Sequence, residues 1–402
     1  MNIVKVAGHA CVRMTKMIVP LLWAGHKVHC IARKEPVGVE YLTTYTKCAD
    51  QSQYVDSIKV YSKTADVFHV HNEPSWFVSA IKESCDVPVV LDVHDSWLAR
   101  STPEEAVARM EQGINHIRIT TEERNNFQLA DALVFPSKPF AEMIIKEFGL
   151  KQPFIILPSY LPRQFYTYET KEWLGGLVYE GRVDLKSEND KQKHGGFGFR
   201  YTEYEELAQK AHAIGMDFHL YAREDEEFLK VYKDSAFTHT PQAYEKLMGC
   251  LSRHDWGLVG NIDHTPEWDV AFPNKLFEYI ASSVPVVALN ASECGRFVKE
   301  HGIGIEVSSL EELAERWSEH TECRKRLIKI RGQFFMDNHI HKLEELYRGV
   351  SQKCRGDVTQ YQQGGSGEAD DLRSLQGVVG SGRKYGSRHY ERILAKSFVG
   401  GM

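Results

Sequence analysis

The chain has 402 residues, enough for two or three domains, and its 42% hydrophobic and 11% aromatic residues can fill full cores. This composition excludes a wholly disordered chain, a collagen-like chain and a small disulfide-stabilised fold. With 49 basic and 55 acidic side chains the net charge is −6, whereas a general nucleic-acid-binding surface would favour a basic balance, so no nucleic-acid partner is expected.

Cysteine spacing and apolar segments favour a soluble, cytoplasmic protein. No two of the eight cysteines have the CxxC spacing of a zinc or redox site, so reduced thiols are expected. The chain opens on a strand pattern rather than a signal peptide. The apolar run at residues 17–24 is much shorter than the ~20 residues of a membrane-spanning helix. At most, peripheral contact with a membrane surface is expected.

The first part of the chain alternates short apolar runs with longer mixed segments. The runs are rich in β-branched residues, which is typical of strands buried on both faces of a parallel sheet. They occupy residues 3–7, 28–32, 67–70, 87–93, 132–135 and 154–157. Helical patterns lie between them, at residues 12–23, 75–84 and 138–148 among others. This alternation predicts a Rossmann-like domain of βαβ units over residues 1–165.

A second α/β domain is predicted after a break in this pattern. Two prolines in residues 158–162 and the polar stretch to residue 172 indicate a linker. Apolar runs then recur at residues 174–179, 218–221, 256–259, 284–289 and 303–307. The second domain is therefore predicted over residues 172–332. Two open domains in tandem fit the break better than one closed barrel does.

The C-terminal part of the chain differs from both domains. Residues 310–350 have a mostly helical pattern, and residues 333–350 are expected to cross back to the first domain. Residues 351–402 contain ten glycines and few large apolar side chains, which predicts a disordered tail.

The strongest chemical signal is the segment FPNKLFEYIASSVPVVA at residues 272–288. Its pattern predicts a loop, a helix that begins near Asn274, and a buried strand. The N-terminus of a helix carries unpaired N–H groups and a partial positive charge, which favour a phosphate. Lys275 adds a full charge in the first turn, and Glu278 can accept hydrogen bonds from a ribose diol. The combination suits a nucleotide diphosphate, but also an ordinary helix with solvated Lys and Glu side chains.

This segment resembles the signature of retaining glycosyltransferases of family 4, which have the GT-B fold, in its "PNKLFEY" variant. The second glutamate of the family's Glu-x7-Glu motif falls on Glu278, whereas the first falls on Val270. The sequence therefore departs from the full motif, and Asp269 and Glu267 are the nearby candidates to replace the first carboxylate. The resemblance implies donor-binding roles for Phe272, Pro273, Asn274, Lys275 and Glu278.

The start of the second domain shows the same resemblance. LVYEGR at residues 177–182 resembles the family strand that opens this domain. It implies that Arg182 binds the donor diphosphate, as a guanidinium is suited to do. The family also has a lysine a few residues later. Lys186, Lys191 and Lys193 compete for that role, and Lys186 is included among the donor-binding residues.

The first domain carries three further segments of interest. GHACVR at residues 8–13 resembles the family's first loop, which faces the cleft, so His9 and Arg13 are candidates to touch acceptor or diphosphate; a helix-surface position suits Arg13 equally well. VVLDVHD at residues 89–95 resembles a strand whose histidine, here His94, lies near the donor sugar. His69 and His71 share one strand face and form a conceivable metal pair, but no third ligand has a helpful spacing.

Two motifs that the sequence lacks argue against a metal-dependent site and against a dehydrogenase. The sequence has no D-x-D triplet, with which many glycosyltransferases hold a divalent metal. We therefore expect no metal and no cofactor, and we expect Arg182, Lys275 and helix N-termini to neutralise the diphosphate. No GxGxxG follows the first strand, which disfavours a dinucleotide-binding dehydrogenase.

Together, these features predict an α/β protein of GT-B type, with two Rossmann-like domains that face each other across a cleft. The resemblance implies a retaining, metal-independent glycosyltransferase that uses His94, Arg182 and Lys275 in catalysis. A UDP- or GDP-sugar is the favoured donor, and a glycan or other hydroxyl compound is the acceptor. Two alternatives stay open. One is a nucleotide-sugar epimerase of the same fold. The other is a non-catalytic sugar-nucleotide-binding scaffold, which is consistent with Val270 at the position of the motif's first glutamate.

Overall fold

The computed structural model describes residues 1–72, 74–100, 110, 115–166, 172–185, 202–222 and 229–354. Within these ranges the chain forms two parallel β-sheets of seven and six strands, with helices packed on them. The predicted α/β class, with two Rossmann-like domains, is thereby confirmed. No helix in this part of the chain is both long and apolar enough to cross a membrane.

The first sheet has the strand order β3-β2-β1-β4-β5-β6-β7. Its strands are β1 Asn2–Ala7, β2 Lys27–Ala32, β3 Thr44–Lys47, β4 Val67–His71, β5 Val89–Asp92, β6 Ala132–Phe135 and β7 Phe154–Ile156. The helices beside them are α1 Val12–Trp23, α2 Gln51–Tyr61, α3 Phe77–Ser84, α4 His116–Leu129 and α5 Lys138–Phe148.

Both faces of this sheet are buried, which explains the continuous apolar runs. Ile3 and Ala7 of β1 face the core that contains α1, whereas Val4 and Val6 face the core on the other side. The strand order reverses between β1 and β4. In open parallel sheets, ligands bind outside the carboxyl ends of the strands at such a reversal.

The second sheet has the order β10-β9-β8-β11-β12-β13 and reverses between β8 and β11. Its strands are β8 Leu177–Gly181, β9 Phe218–Ala222, β10 Phe237–Thr238, β11 Trp256–Gly260, β12 Val286–Leu289 and β13 Gly304–Val307. Its helices are α6 Glu205–Ala213, α7 Tyr244–Leu251, α8 Asn274–Ala281, α9 Ser292–His301, α10 Leu310–Glu315 and α11 His320–Ile330. Short 3-10 turns occur at Val39–Tyr41, Arg163–Phe165, Lys230–Tyr232, Pro266–Asp269, Trp317–Glu319, Arg331–Phe334 and Met336–Asn338.

The last helix, α12 Ile340–Cys354, packs on the first domain. Glu344 pairs with His26 at 2.6 Å, and the Ser351 hydroxyl donates to the carbonyl oxygen of Asp66 at 3.1 Å. The helix continues past residue 350, so residues 351–354 are helical, contrary to the predicted start of the tail. Most of the predicted tail, from residue 355 onwards, lies outside the described residues, as does Lys186.

Candidate active site

The carboxyl ends of the two sheets meet at a contact between α1 and α8. The Lys16 ammonium on α1 donates to Oδ1 of Asn274, the first residue of α8, at 3.1 Å. Nearby, the Ser137 hydroxyl of the first domain donates to the carbonyl oxygen of Val270 in the second. These contacts place the first domain's β1–α1 segment beside the predicted donor-binding helix.

Lys275 and Arg182, the two basic residues predicted to bind the diphosphate, lie at the carboxyl end of β8. The Lys275 ammonium lies 4.7 Å from the ring centroid of Tyr179 on β8. Gly181 ends this strand at φ 121°, and a Cβ built on it would lie 3.7 Å from the Lys275 ammonium, so the lysine is close to the strand end. Arg182 follows immediately; its side chain is 55% exposed and pairs with Asp184 at 2.7 Å. Both residues therefore lie at the carboxyl end of β8, and their joint contact with a diphosphate stays a prediction.

Glu278 occupies a different environment from the one that a ribose contact requires. The residue is 2% exposed, and Oε1 of its carboxylate lies 3.0 Å from the Lys16 ammonium. The Tyr244 hydroxyl donates to the same oxygen at 3.0 Å. Burial alone would raise the pKa of Glu278, but Lys16 and the hydrogen bonds outweigh it and lower the pKa to about 2. The carboxylate therefore serves an interdomain ion pair in this structure rather than facing an open ribose site.

The other predicted donor-site residues divide between the cleft and the core. Phe272 is 8% exposed and packs edge-on against Phe277 and Phe297, so it belongs to the core rather than lining the cleft. The Phe272 ring is buried because the side chains around it are apolar aromatic rings. Pro273 is the N-cap of α8, and Asn274 contacts Lys16.

The absence of a glutamate at position 270 has a structural explanation. The Val270 side chain packs against the first domain's core, and its carbonyl accepts the Ser137 hydroxyl. Ser137 also caps α5 by accepting from the Phe140 N–H at 3.3 Å. Asp269, a candidate replacement, is exposed and accepts from the Ser292 hydroxyl at 2.8 Å. An apolar side chain therefore suits position 270, which is an interdomain contact.

His94 lies in a polar cluster at the carboxyl ends of β1, β4 and β5. Its Nε2 is 3.8 Å from the Sγ of Cys11, and its Nδ1 is 3.6 Å from Oδ2 of Asp92. The same Asp92 oxygen lies 3.0 Å from Nδ1 of His71. Sequence analysis did not identify Cys11, because a lone cysteine in a loop carries no motif.

The charges in this cluster stabilise one another. Burial opposes ionisation of Cys11, but the imidazoles of His94 and His71 outweigh it and hold its pKa well below the usual range. Burial likewise disfavours a charged His94, yet the Cys11 thiolate raises the His94 pKa to about 9. The opposite directions of the two pKa shifts favour a Cys11 thiolate beside a His94 imidazolium.

This pair predicts a reactive cysteine. At pH 7 Cys11 should be alkylated by iodoacetamide about ten times faster than any other described cysteine, because the thiolate is the nucleophile and its fraction is raised. Burial instead raises the pKa of Cys30 to about 12 and that of Cys323 to about 11. Peptide mass spectrometry over a time course measures the rates. His94→Ala should slow Cys11 alkylation, whereas His9→Ala should not; equal rates at all cysteines would refute the ion pair.

Arg13 lies neither on a helix surface nor in the cleft, contrary to both expectations. The residue is 1% exposed, and its Nε lies 2.9 Å from Oδ2 of Asp92. Its other nitrogens donate to the Ser159 hydroxyl at 2.8 Å and the Leu157 carbonyl at 2.9 Å. A buried guanidinium requires such partners, so Arg13 fixes Asp92 and the chain after β7 rather than contacting a ligand.

His9 is exposed and borders a cavity of about 290 Å³ at the carboxyl ends of β1, β2 and β4. Aromatic rings and charged groups both line this cavity. Its lining comprises Gly8, His9, Arg33, Asp50, Gln51, Tyr54, Pro74, Trp76 and Phe77. Such a mixture suits a polyhydroxylated ligand, whose C–H faces pack on aromatic rings while its hydroxyls bind polar groups.

His69 and His71 do have a third group beside them, which their sequence spacing did not reveal. Potential ligand atoms of His69, His71 and Asp92 all lie within 4.8 Å of one another. However, the Lys5 ammonium is 2.7 Å from Nδ1 of His69, and Arg13 pairs with Asp92. Burial lowers the pKa of Lys5 to about 7. The Lys5 nitrogen and the Arg13 guanidinium thus already occupy positions beside these side chains, so the group suits a network of hydrogen bonds and ion pairs better than a metal ion.

Comparison with known families matches each domain separately. Residues 21–159 match the family model "Glycosyltransferase Family 4". Residues 194–331 match the model "Glucosyltransferase 3-like, C-terminal domain". No curated protein sequence matches the chain significantly.

Solved structures share this two-domain fold at low sequence identity. Sucrose-phosphate synthase from Thermosynechococcus elongatus is 13% identical with a TM-score of 0.65, over 87% of this chain and 99% of that one. HepE from Anabaena, solved with UDP and glucose, is 11% identical with a TM-score of 0.62, over 87% and 100%. An alpha-glucosyltransferase solved with UDP-glucose and DNA containing an abasic site is 12% identical with a TM-score of 0.53, over 86% and 99%.

Proposed function

Because the chain is a glycosyltransferase with the GT-B fold, we propose that it transfers a sugar from a nucleotide-diphosphate sugar to a hydroxyl acceptor, with retention of configuration. The observation that supports this proposal most is that the Lys275 ammonium lies beside Gly181, the last residue of β8, and that Arg182 follows directly in the chain. The N-terminus of α8 lies at the same place, so positive charge from three sources is available to a diphosphate.

The proposed donor is a UDP-sugar, with GDP-sugars as the alternative. Two structural relatives were solved with UDP and glucose, or with UDP-glucose, and UDP-glucose is therefore the first donor to test. The diphosphate would lie against Lys275 and Arg182. Glu278 can reach a ribose only if Lys16 releases it, because that ammonium is 3.0 Å from the carboxylate.

The transfer step is primarily one of charge stabilisation. The bond between the anomeric carbon and the diphosphate breaks, the acceptor oxygen bonds to the same face, and the acceptor proton leaves with the diphosphate. Charge grows on the leaving group as the sugar becomes oxocarbenium-like, so preorganised cations stabilise the transition state more than the ground state. His94, at the facing end of the first sheet, would contact the sugar or position the acceptor.

The proposed acceptor site is the cavity beside His9. Trp76 offers an aromatic face, and Arg33 and Asp50 offer hydrogen-bonding groups of opposite charge. This lining fits a glycan or another hydroxyl compound. The acidic balance of the chain, net −6, favours such an acceptor over a nucleic acid, although one relative was solved with DNA.

The function is tested by measuring the release of nucleoside diphosphate from UDP- and GDP-sugars, with and without glycan-containing extracts. Release that depends on an acceptor supports the transferase. Release accompanied by a free epimerised sugar would identify an epimerase instead. Donor binding without any release would identify a scaffold.

Metal independence is a separate prediction. Transfer should proceed in EDTA at a rate within about twofold of that in buffer, because the cationic groups take the place of a metal in neutralising the diphosphate. The measurement is initial velocity after chelation and gel filtration, with and without Mg²⁺ or Mn²⁺. Activity that disappears in EDTA and returns only with a divalent ion would refute this prediction and direct attention to His69, His71 and Asp92.

A further inference from the structure

Three histidines meet in the second domain, away from the cleft. His219 is the second residue of β9, His239 directly follows β10, and His254 lies in the turn between α7 and β11. One nitrogen of each ring lies within 4.8 Å of the others. The cluster lies toward the amino ends of β9 and β11, whereas Lys275 and Arg182 lie at the carboxyl end of β8.

His254 is oriented as a metal-binding histidine would be. The side chain is fully buried, and its Nδ1 donates to the carbonyl oxygen of Gly175 at 2.7 Å. A carbonyl can only accept, so the proton is on Nδ1, and Nε2 of the neutral ring carries the lone pair. The Tyr221 hydroxyl lies 3.3 Å from Nε2 and would have to turn away for an ion to bind there. Histidine ligands of metals typically donate their second N–H to a backbone carbonyl in this way.

His219 carries a nitrogen whose hydrogen-bonding capacity is unused. The residue is 6% exposed, and its Nε2 is buried with no hydrogen-bond partner in the described part of the chain. Its Nδ1 lies 3.0 Å from Nε2 of His239. A buried polar atom without a partner costs stability, and an ion bound at this nitrogen would remove that cost.

Aromatic stacking holds the remaining ring in place. His239 stacks on Tyr221 with centroids 4.1 Å apart and planes 5° apart. His219 stacks on Phe237 at 4.9 Å and 21°. His239 is only partly buried, so an ion can reach the cluster from that side. The rings are therefore positioned before any ligand arrives.

The charge state of the cluster also suits a metal. Burial lowers the pKa of His219 to about 4 and that of His254 to about 3, and it lowers the pKa of His239 as well. All three rings are thus neutral at pH 7, which is the form that binds metals. The charge of Arg253 also contributes to the lowered pKa of each ring, and Arg253 itself is paired with Glu172 at 2.5 Å.

We propose that His219, His239 and His254 form a binding site for a divalent transition metal, with zinc as the expected occupant. Imidazole nitrogens suit zinc, and three histidines leave a fourth position for water or an anion. The ion would join β9, the segment after β10 and the α7–β11 turn. Because the cluster lies away from the proposed diphosphate site, the ion would stabilise the second domain without taking part in transfer.

The test uses the full chain, freed of metal by chelation and gel filtration, and titrated with Zn²⁺ in a calorimeter. The wild type should bind one zinc ion tightly and melt at a higher temperature with zinc than without it. Co²⁺ should give visible absorption bands typical of tetrahedral coordination. His239→Phe keeps a ring on Tyr221 but removes both nitrogens, and it should weaken zinc binding by about 100-fold or more.

The matched control is His212→Phe, because His212 is exposed on α6 and outside the cluster. This control should bind zinc as the wild type does. If His239→Phe does not fold by circular dichroism, His239→Gln provides the same comparison with a polar side chain. Wild-type protein that binds no zinc at 100-fold molar excess, or variants at position 239 that bind it as tightly as wild type, would overturn the proposal.

Discussion

Lys275→Ala and Arg182→Ala should each lower turnover by about 30- to 1000-fold at saturating donor, while the circular dichroism spectrum stays unchanged. Each substitution removes one charged contact to the leaving diphosphate, and one such contact contributes about 2–4 kcal/mol to transition-state stabilisation. Charge on the diphosphate increases as the sugar bond breaks, so turnover should fall more than donor affinity does.

Two other cations of the same domain provide matched controls. Arg296 on α9 is 56% exposed and pairs with Glu293 and Glu300, so it resembles Arg182 in charge and exposure. Lys299 is 56% exposed and pairs with Glu306. Arg296→Ala and Lys299→Ala should leave turnover within about twofold of wild type, since exposed ion pairs contribute little. Wild-type turnover in both Lys275→Ala and Arg182→Ala would mean that the diphosphate site is elsewhere.

Glu278→Ala should destabilise the folded protein by about 3–5 kcal/mol, because it removes the carboxylate that lies 3.0 Å from the buried Lys16 ammonium and leaves only the more weakly interacting Glu180 nearby. Lys16 is 0% exposed, so water cannot replace the lost partner without opening the interdomain contact. Urea unfolding followed by tryptophan fluorescence measures the shift. The double variant Lys16→Met/Glu278→Met should recover most of the loss, because it removes both charges.

The pH dependence of stability offers an independent measure of the same ion pair. The Glu278 pKa is lowered from 4.5 to about 2 in the folded protein. Its contribution is therefore present above pH 4.5 and is lost as the pH falls toward 2. Glu278→Ala should show a smaller loss over this window than the wild type. If this variant instead unfolds like the wild type and only binds donor less tightly, the ribose contact implied by the family resemblance is the better account of Glu278.

The elements that the sequence predicts best are those with strong local signals. The helices at residues 12–23 and 138–148 have the predicted bounds. The second is capped by Ser137 at its start and by Gly149, whose φ is 65°, directly after its last residue. Strands β3 and β10 were not predicted. Both lie at sheet edges, and their residues are exposed or half-buried, so neither has a continuous apolar run.

The same distinction between local and long-range signals applies to the candidate site. Lys275 and Arg182 could both be assigned to the carboxyl edge of the second sheet from the sequence, because a helix start and a strand end of one domain share that edge. The ion-pair partner of Glu278 could not be predicted from the sequence, because Lys16 belongs to the other domain and no local sequence pattern links the two residues. The sequence does offer one signal that Lys16 has a buried partner. This lysine lies on the otherwise apolar face of α1, among the buried side chains of Met14, Met17 and Ile18. Arg13 on the same helix carries the same signal.

A crystal structure of the full chain with bound UDP tests the proposed donor site most directly. We expect the diphosphate within hydrogen-bonding distance of the Lys275 ammonium and the Arg182 guanidinium, at the N-terminus of α8 and across the cleft from His94. A diphosphate that contacts neither Lys275 nor Arg182, or that lies on the first domain alone, would contradict the account.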